Sequence, residues 1–214
     1  MLNIETFTVN MIQENCYVLS DETSEAVIID DGAYYPEEKQ TIEEYIDSNH
    51  LKPVHLLNTH AHFDHTFGNR SIYERYGLKA ELHHADAELY RMLPLQAQCI
   101  IGVRLNVEST PIERFLKKGD MVTFGHHTLR VIETPGHTPG GVCFYCEEEK
   151  VIFSGDSLFW QSIGRTDFPG SDETALIESL KKKVLTLPDE TVVLSGHGPS
   201  TTVGNEKRKN IYFR

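Results

Sequence analysis

Within Thr59-His60-Ala61-His62-Phe63-Asp64-His65, four side chains able to bind a metal fall within six positions: His60, His62, Asp64 and His65. The apolar run Val54 to Leu57 just before them reads as a buried strand. A loop at the end of a strand is where open sheets place their chemistry. Extended backbone puts residues i and i+2 on one face, so His60 and His62 suit one metal, while Asp64 and His65 point elsewhere, toward a second. A single histidine carries little information, but H-x-H-x-D-H rarely arises by chance. Four residues cannot complete the shells of two ions, so later loops have to supply the remaining donors.

Three later segments have the right form. His137 lies in Thr134-Pro135-Gly136-His137-Thr138-Pro139-Gly140-Gly141, Asp156 in Ser154-Gly155-Asp156-Ser157, and His197 in Ser195-Gly196-His197-Gly198-Pro199. Each follows a strand-like apolar run: Leu129 to Ile132, Val151 to Phe153 and Thr191 to Leu194. Each is flanked by Gly or Pro, which set tight turns.

Several classes of function are disfavoured. The net charge of −12 argues against nucleic acid, whose phosphates require Lys/Arg surfaces. The basic cluster Lys207-Arg208-Lys209 reads as a solvated terminal turn. A mean hydropathy of −0.35 and the absence of a long apolar run exclude a membrane span. Met1 to Thr6 has no basic or apolar leader character, which points to the cytoplasm. Cys143-x-x-Cys146 falls in a strand-like stretch, where i and i+3 face opposite sides, so it reads as packed thiols rather than a redox pair. Hydrophobic content is 39%, and the 214 residues show no linker, so a single domain over 1–214 is expected.

Taken in order, Asn3 to Val9, Cys16 to Leu19 and Ala26 to Ile29 read as strands. Asp30-Asp31-Gly32 reads chiefly as a turn, with a role at the site as the alternative. Pro36 to Ser48 reads as a helix, as do Phe67 to Tyr76, Asp86 to Arg91 and Asp172 to Leu185. Lys79 to Leu82 reads as a strand, with His83 and His84 after it in core or supporting roles rather than as ligands. The stretch 93–105 is apolar but aperiodic, so a packed loop, a flap over the site and a dimer surface all remain open. Met121 to Phe124 and Thr128 to Glu133 read as a hairpin with His126 and His127 exposed in its turn. Val142 to Tyr145 and Val151 to Ser154 form a second hairpin.

H-x-H-x-D-H, G-H-T-P-G, G-D-S-L-F and G-H-G, in this order, resemble the metallo-β-lactamase fold superfamily. Gly164-Arg165-Thr166-Asp167-Phe168-Pro169-Gly170 resembles its glyoxalase II-like (hydroxyacylglutathione hydrolase-like) branch. The resemblance implies an α/β fold, the αββα four-layer sandwich. It also implies a first metal on His60, His62 and His137, a second on Asp64, His65 and His197, and Asp156 as the bridge. Asp64 and Asp156 are then the catalytic carboxylates, Asp64 acting as a ligand more than as a base. Two zinc ions are expected, and Fe or Mn suit the same donors.

Zinc lowers the pKa of bound water to about 7, and two metals can share the resulting hydroxide. Two divalent ions, two carboxylates and a hydroxide leave a charge of about +1, suited to an oxyanion or a thiolate. The expected reaction is hydrolysis of a small acyl thioester such as S-lactoylglutathione, by a metal-bridging hydroxide. Glyoxalase II proteins bind glutathione partly through a C-terminal helical domain, and this sequence ends at Arg214, as in a short form. Arg165 matches a glutathione-binding Lys of that family and is the candidate substrate contact, whereas Asp167 stands where a Tyr would be. The alternatives are a mononuclear-iron persulfide dioxygenase-like enzyme, another ester or lactone hydrolase of the fold, and a non-catalytic metal module.

Overall fold

The computed structural model describes residues 1–103, 105 and 107–214. The first half of the chain builds one six-stranded sheet from β1 (Asn3–Val9), β2 (Glu14–Ser20), β3 (Glu25–Ile29), β4 (Lys52–Leu57), β5 (Ala80–His83) and β6 (Ile112–Leu116), in that spatial order. β1 to β3 are antiparallel, and β3 to β6 are parallel. Parallel neighbours need crossovers, and α1 (Pro36–Ser48) and α2 (Asn69–Tyr76) supply the first two.

The second half builds the other sheet from β7 (Met121–Phe124), β8 (His127–Glu133), β9 (Val142–Cys146) and β10 (Val151–Gly155). A small hairpin, β11 (Leu158–Phe159) with β12 (Ser162–Ile163), intervenes before β13 (Val192–Ser195) and β14 (Thr201–Thr202) complete the sheet in the order β14-β13-β10-β9-β8-β7.

The two sheets stack because each has two apolar faces. In β9, Val142, Phe144 and Cys146 point between the sheets and pack with Tyr17, Leu19, Ile29 and Phe153. Cys143 and Tyr145 point outward, against Leu176, Leu180 and Val184. The two sulfurs thus diverge, as the strand reading requires. α5 (Glu173–Ser179) and its π-helical continuation Leu180–Val184 cover this outer face. α1 and α2 cover the other sheet, with Ile42, Ile46 and Ile72 set on Val18, Ile28 and Leu56. Each fully buried Leu, Ile or Phe contributes about 2 kcal/mol of transfer free energy. The αββα sandwich expected from the motifs is the observed architecture.

Local signals explain the helix ends. Pro36 occupies the first turn of α1, and the Glu38 carboxylate accepts from the Asn10, Tyr34 and Tyr35 amides. Gly77 ends α2 at φ 75°, a conformation free of cost only for glycine. Asp172 caps α5 by accepting from the Ala175 amide at 2.9 Å.

Three expectations need correction. The stretch 93–105 begins as a helix, α4 (Leu93–Ile101), which follows α3 (Ala87–Arg91); residue 104 of that stretch lies outside the described residues. Leu93, Gln96 and Ala97 form the buried face of α4. A glutamine inside the apolar stripe hides the helical period. Gln96 is buried because its Nε2 donates to the Ala61 and Leu89 carbonyls. His127 is buried on β8, while His126 is exposed. His127 continues the inward alternation of Leu129 and Val131, so it belongs to the strand and not the turn. Lys207, Arg208 and Lys209 end a helix, α6 (Val203–Lys209), where their charge offsets the C-terminal dipole. β14 and the β11–β12 hairpin have two residues per strand, too few to show a period, and Ile112-Glu113-Arg114-Phe115-Leu116 of β6 does not alternate.

At the end of β3, Asp31 is buried beside Gly68, where an added Cβ would strike its carboxylate. Burial pushes the Asp31 carboxyl up to about 7, against the opposing hydrogen bond from the Ala33 amide. The folded state therefore keeps this proton between about pH 4 and pH 7, while the unfolded chain has lost it. Stability from this group falls as pH rises through that window, by at most about 1.4 kcal/mol per pH unit, and levels off above it. Urea melts of Asp31→Asn are expected to lack this component, so the wild-type minus variant difference should slope downward from pH 5 to 7. A flat difference would show that Asp31 ionises normally.

Candidate metal centre

Four strand ends meet on one edge of the sandwich. β4 leads into the His60-to-His65 loop, β8 into the His137 loop, β10 into Asp156 and β13 into His197. All seven residues that the motifs single out come together there. His60, His62 and His137 form one group of donors within 4.8 Å of one another, and Asp64, His65 and His197 form a second. His62 Nδ1 lies 2.9 Å from His137 Nε2. Asp156 spans the groups: Oδ2 is 3.5 Å from His137 Nε2, and Oδ1 is 3.3 Å from His65 Nε2 and 3.7 Å from His197 Nε2. Asp64 Oδ2 lies 3.2 Å from His197 Nε2 and 3.6 Å from His65 Nε2.

The far side of four of the five imidazoles, all but His62, is held by a protein oxygen. His137 Nδ1 donates to the Arg165 carbonyl at 2.8 Å, and His197 Nδ1 to the Gln13 carbonyl at 3.2 Å. His65 Nδ1 faces Asp30 Oδ2 at 3.1 Å, and His60 Nδ1 faces Thr59 Oγ1 at 3.0 Å. Such partners fix the tautomer and leave Nε2 bare for a cation. His60 Nε2, His65 Nε2 and Asp156 Oδ1 are buried and have no hydrogen-bond partner. Orphaned buried donors and acceptors are costly, and cations between the two groups would satisfy all three. Gly196 allows the close approach, since a Cβ there would stand 2.5 Å from Asp156 Oδ1 and from His65 Cε1. The residues present therefore fit a pair of divalent cations, with an N/O donor set that suits Zn, Fe or Mn.

Charge follows the same division. Burial, reinforced by neighbouring histidines, holds His60 well below the usual imidazole range, and burial with His137 brings His62 to about 3. Burial opposes ionisation of Asp64 and Asp156, but His65 and His197 hold both carboxyls below their ordinary range. Burial disfavours charge on His65 and His197 too, yet the same carboxylates raise them. A cation entering here displaces protons from the imidazoles.

Two aspartates that orient the loops stand outside the motifs. Asp30, at φ 54°, accepts from Thr59 N at 2.7 Å and Thr59 Oγ1 at 2.6 Å as well as facing His65. It serves both as a turn and as support for the site. Asp86 is buried and accepts from Ala61 N, Thr138 Oγ1 and Gly140 N at 3.1, 2.8 and 2.6 Å. It ties the His60–His62 loop of one sheet to the His137 loop of the other. His83 is buried, accepting from Ala85 N and facing Glu133, and His84 is exposed, so neither reaches the centre.

A cavity of about 390 Å³ opens onto the centre between Ile12, Phe63, Phe159, Ile163 and Phe168, with His62, Asp64, His137, Asp156 and His197 at its floor. Arg165 lines it, but its guanidinium is paired with Asp167 through two hydrogen bonds of 2.7 Å and stacks 4.1 Å over Phe168.

A His/Asp centre for two cations, on the strand-end edge of an αββα sandwich, defines a class of metallohydrolase. The chain belongs to the metallo-beta-lactamase superfamily, whose family description matches residues 9–197. It is 38% identical over 214 residues to hydroxyacylglutathione hydrolase GloC of Haemophilus influenzae, covering 99% of this chain and 98% of that one. Among solved structures it is similar to BLEG-1 B3 metallo-beta-lactamase, at 36% identity and a TM-score of 0.90 over 100% of this chain and 99% of that one. It is also similar to TTHA1623 in a di-iron-bound form, at 39% identity and a TM-score of 0.86 over 97% and 99%. No helix among the described residues is long and apolar enough to cross a membrane.

Proposed function

We propose that this metallohydrolase cleaves small acyl thioesters in the manner of the glyoxalase II-like branch. The observation that carries the reading is the paired donor set, with His60, His62 and His137 on one side, Asp64, His65 and His197 on the other, and Asp156 between. Two divalent cations bound there would supply Lewis acidity and a water that ionises near neutral pH. The likeness to a hydroxyacylglutathione hydrolase supports a thioester as the bond broken. We assign the thioester carbonyl to the His62 side and the departing sulfur to the His197 side. Water oxygen joins the acyl carbon, the carbon–sulfur bond breaks, and a carboxylate, a thiol and a proton result.

The chain's own part is to orient and to exclude water. The Arg165 and Gln13 carbonyls keep the His137 and His197 rings from rotating. Phe168, Phe159 and Ile163 wall the cavity with apolar surface, so charge developing on the substrate is screened little. Neither a serine nor a cysteine nucleophile is required. Arg165 at the rim is our candidate contact to the substrate. With Asp167 already neutralising it, it suits a polar acyl or thiol end better than a multiply charged one.

Metal analysis of the purified protein and an S-lactoylglutathione assay on the same sample test this reading. About two metals per chain and thioester turnover abolished by chelation are expected. One iron per chain with sulfite formed from glutathione persulfide would establish the dioxygenase reading instead. The likeness to a B3 metallo-beta-lactamase favours one further assay on that sample, hydrolysis of a chromogenic β-lactam. Turnover of the lactam alone would replace the thioester assignment.

A further inference from the structure

A second cavity, also of about 390 Å³, lies on the His62 side of the centre. α3 and α4 form one wall through Leu89, Met92 and Leu95, and Phe168 with its neighbouring prolines forms the other. His62, Ile100 and Phe168 line both cavities, so the second is continuous with the metal centre. Among its described lining residues there is no Lys, Arg, Asp or Glu. Gln96, which also lines it, has its amide nitrogen engaged by the Ala61 and Leu89 carbonyls and its amide oxygen buried without a hydrogen-bond partner. Leu95 is 53% exposed and Met92 41% exposed, so the apolar wall is open to whatever enters.

We propose that this cleft is an acyl-chain subsite that takes a linear apolar chain of the thioester. The proposal rests on the thioester reading, which sets the acyl carbonyl on the His62 side and points the chain past His62 into the cleft. A short hydroxyacyl group would leave the cleft wet, whereas a chain of four to eight carbons would replace that water with contacts to Leu89, Met92 and Leu95. Each buried methylene is worth roughly a fourfold gain in kcat/KM, up to the length that fills the cleft.

Two measurements on the metal-loaded protein test it. The first is kcat/KM for acetyl, butyryl, hexanoyl and octanoyl thioesters of N-acetylcysteamine, a neutral thiol. The expected result is a rise of roughly fourfold per methylene to at least six carbons, with Leu95→Asn flattening the series. The second does not depend on turnover. Cys99 lines the cleft and is exposed, and the other three cysteines are buried, so alkylation by iodoacetamide reports on this site. Octanoate should slow alkylation of Cys99 severalfold, acetate should not, and Leu95→Asn should remove the protection. Thioester turnover that ignores chain length, together with no octanoate protection, would overturn the subsite and leave the hydrolase reading standing. Octanoate protection in a protein that turns over no thioester would retain an apolar-chain site and remove the hydrolase reading. Absence of both removes both.

Discussion

Replacing Asp156 with asparagine is expected to lower kcat/KM for thioester hydrolysis by about 10³-fold and to reduce bound metal per chain well below the wild-type content. The side chain lies between both donor sets, with Oδ2 toward His137 and Oδ1 toward His65 and His197. An amide keeps the shape but gives up one anionic oxygen, so two cations would face one another with less charge between them. Asparagine also presents N–H groups to imidazole nitrogens that should be bare. The surrounding glycines accept the isosteric change, since no atom is added. Circular dichroism should therefore stay close to wild type, while the melt of the metal-free protein should move down, because His65 and His197 lose a buried counter-charge. Activity within tenfold of wild type, with full metal content, would show that Asp156 is not the bridge.

Substituting Asp86 with alanine should cost about 3–5 kcal/mol of stability, from three buried donors left unpaired, and shift the thermal midpoint down by roughly 10 °C. Burial pushes the Asp86 carboxyl up from its ordinary value, and three donors push back: Thr138 Oγ1, Gly140 N and Ala61 N. Alanine leaves all three without an acceptor in a space closed to solvent. The two loops it joins carry His60, His62 and His137, so turnover should fall by about 10- to 100-fold, the range seen when the support of a metal ligand is lost. Asparagine at the same position retains an acceptor and should recover part of both losses. A midpoint unchanged in Asp86→Ala would mean that the loops are held by their own backbones.

The ligand loops were legible because their information is local. His60, His62, Asp64 and His65 are dense in sequence, and each later loop is marked by glycine and proline at the end of an apolar run. Pro36 and Gly77 likewise announce helix ends through effects confined to one or two residues. What was not legible depends on partners distant in sequence. Asp86 reads as the start of a helix, and only tertiary contact aims it at Thr138 and Gly140, more than fifty positions later. Asp30 looks like part of a turn, which it is, but the same carboxylate reaches Thr59 and His65. Gln96 shows how one buried amide, held through its nitrogen, can disguise a helix as an irregular apolar stretch. His127 could have been found, since it keeps the every-second-residue spacing of Leu129 and Val131.

α3 and α4, residues 87 to 101, contribute none of the seven donors, yet they wall the cleft beside His62. Selectivity and reactivity therefore reside on separable lengths of polypeptide. A relative could exchange this helical pair, and with it the kind of molecule admitted, while keeping the same ions in the same place. Descent with an unchanged centre can in this way yield enzymes with different appetites.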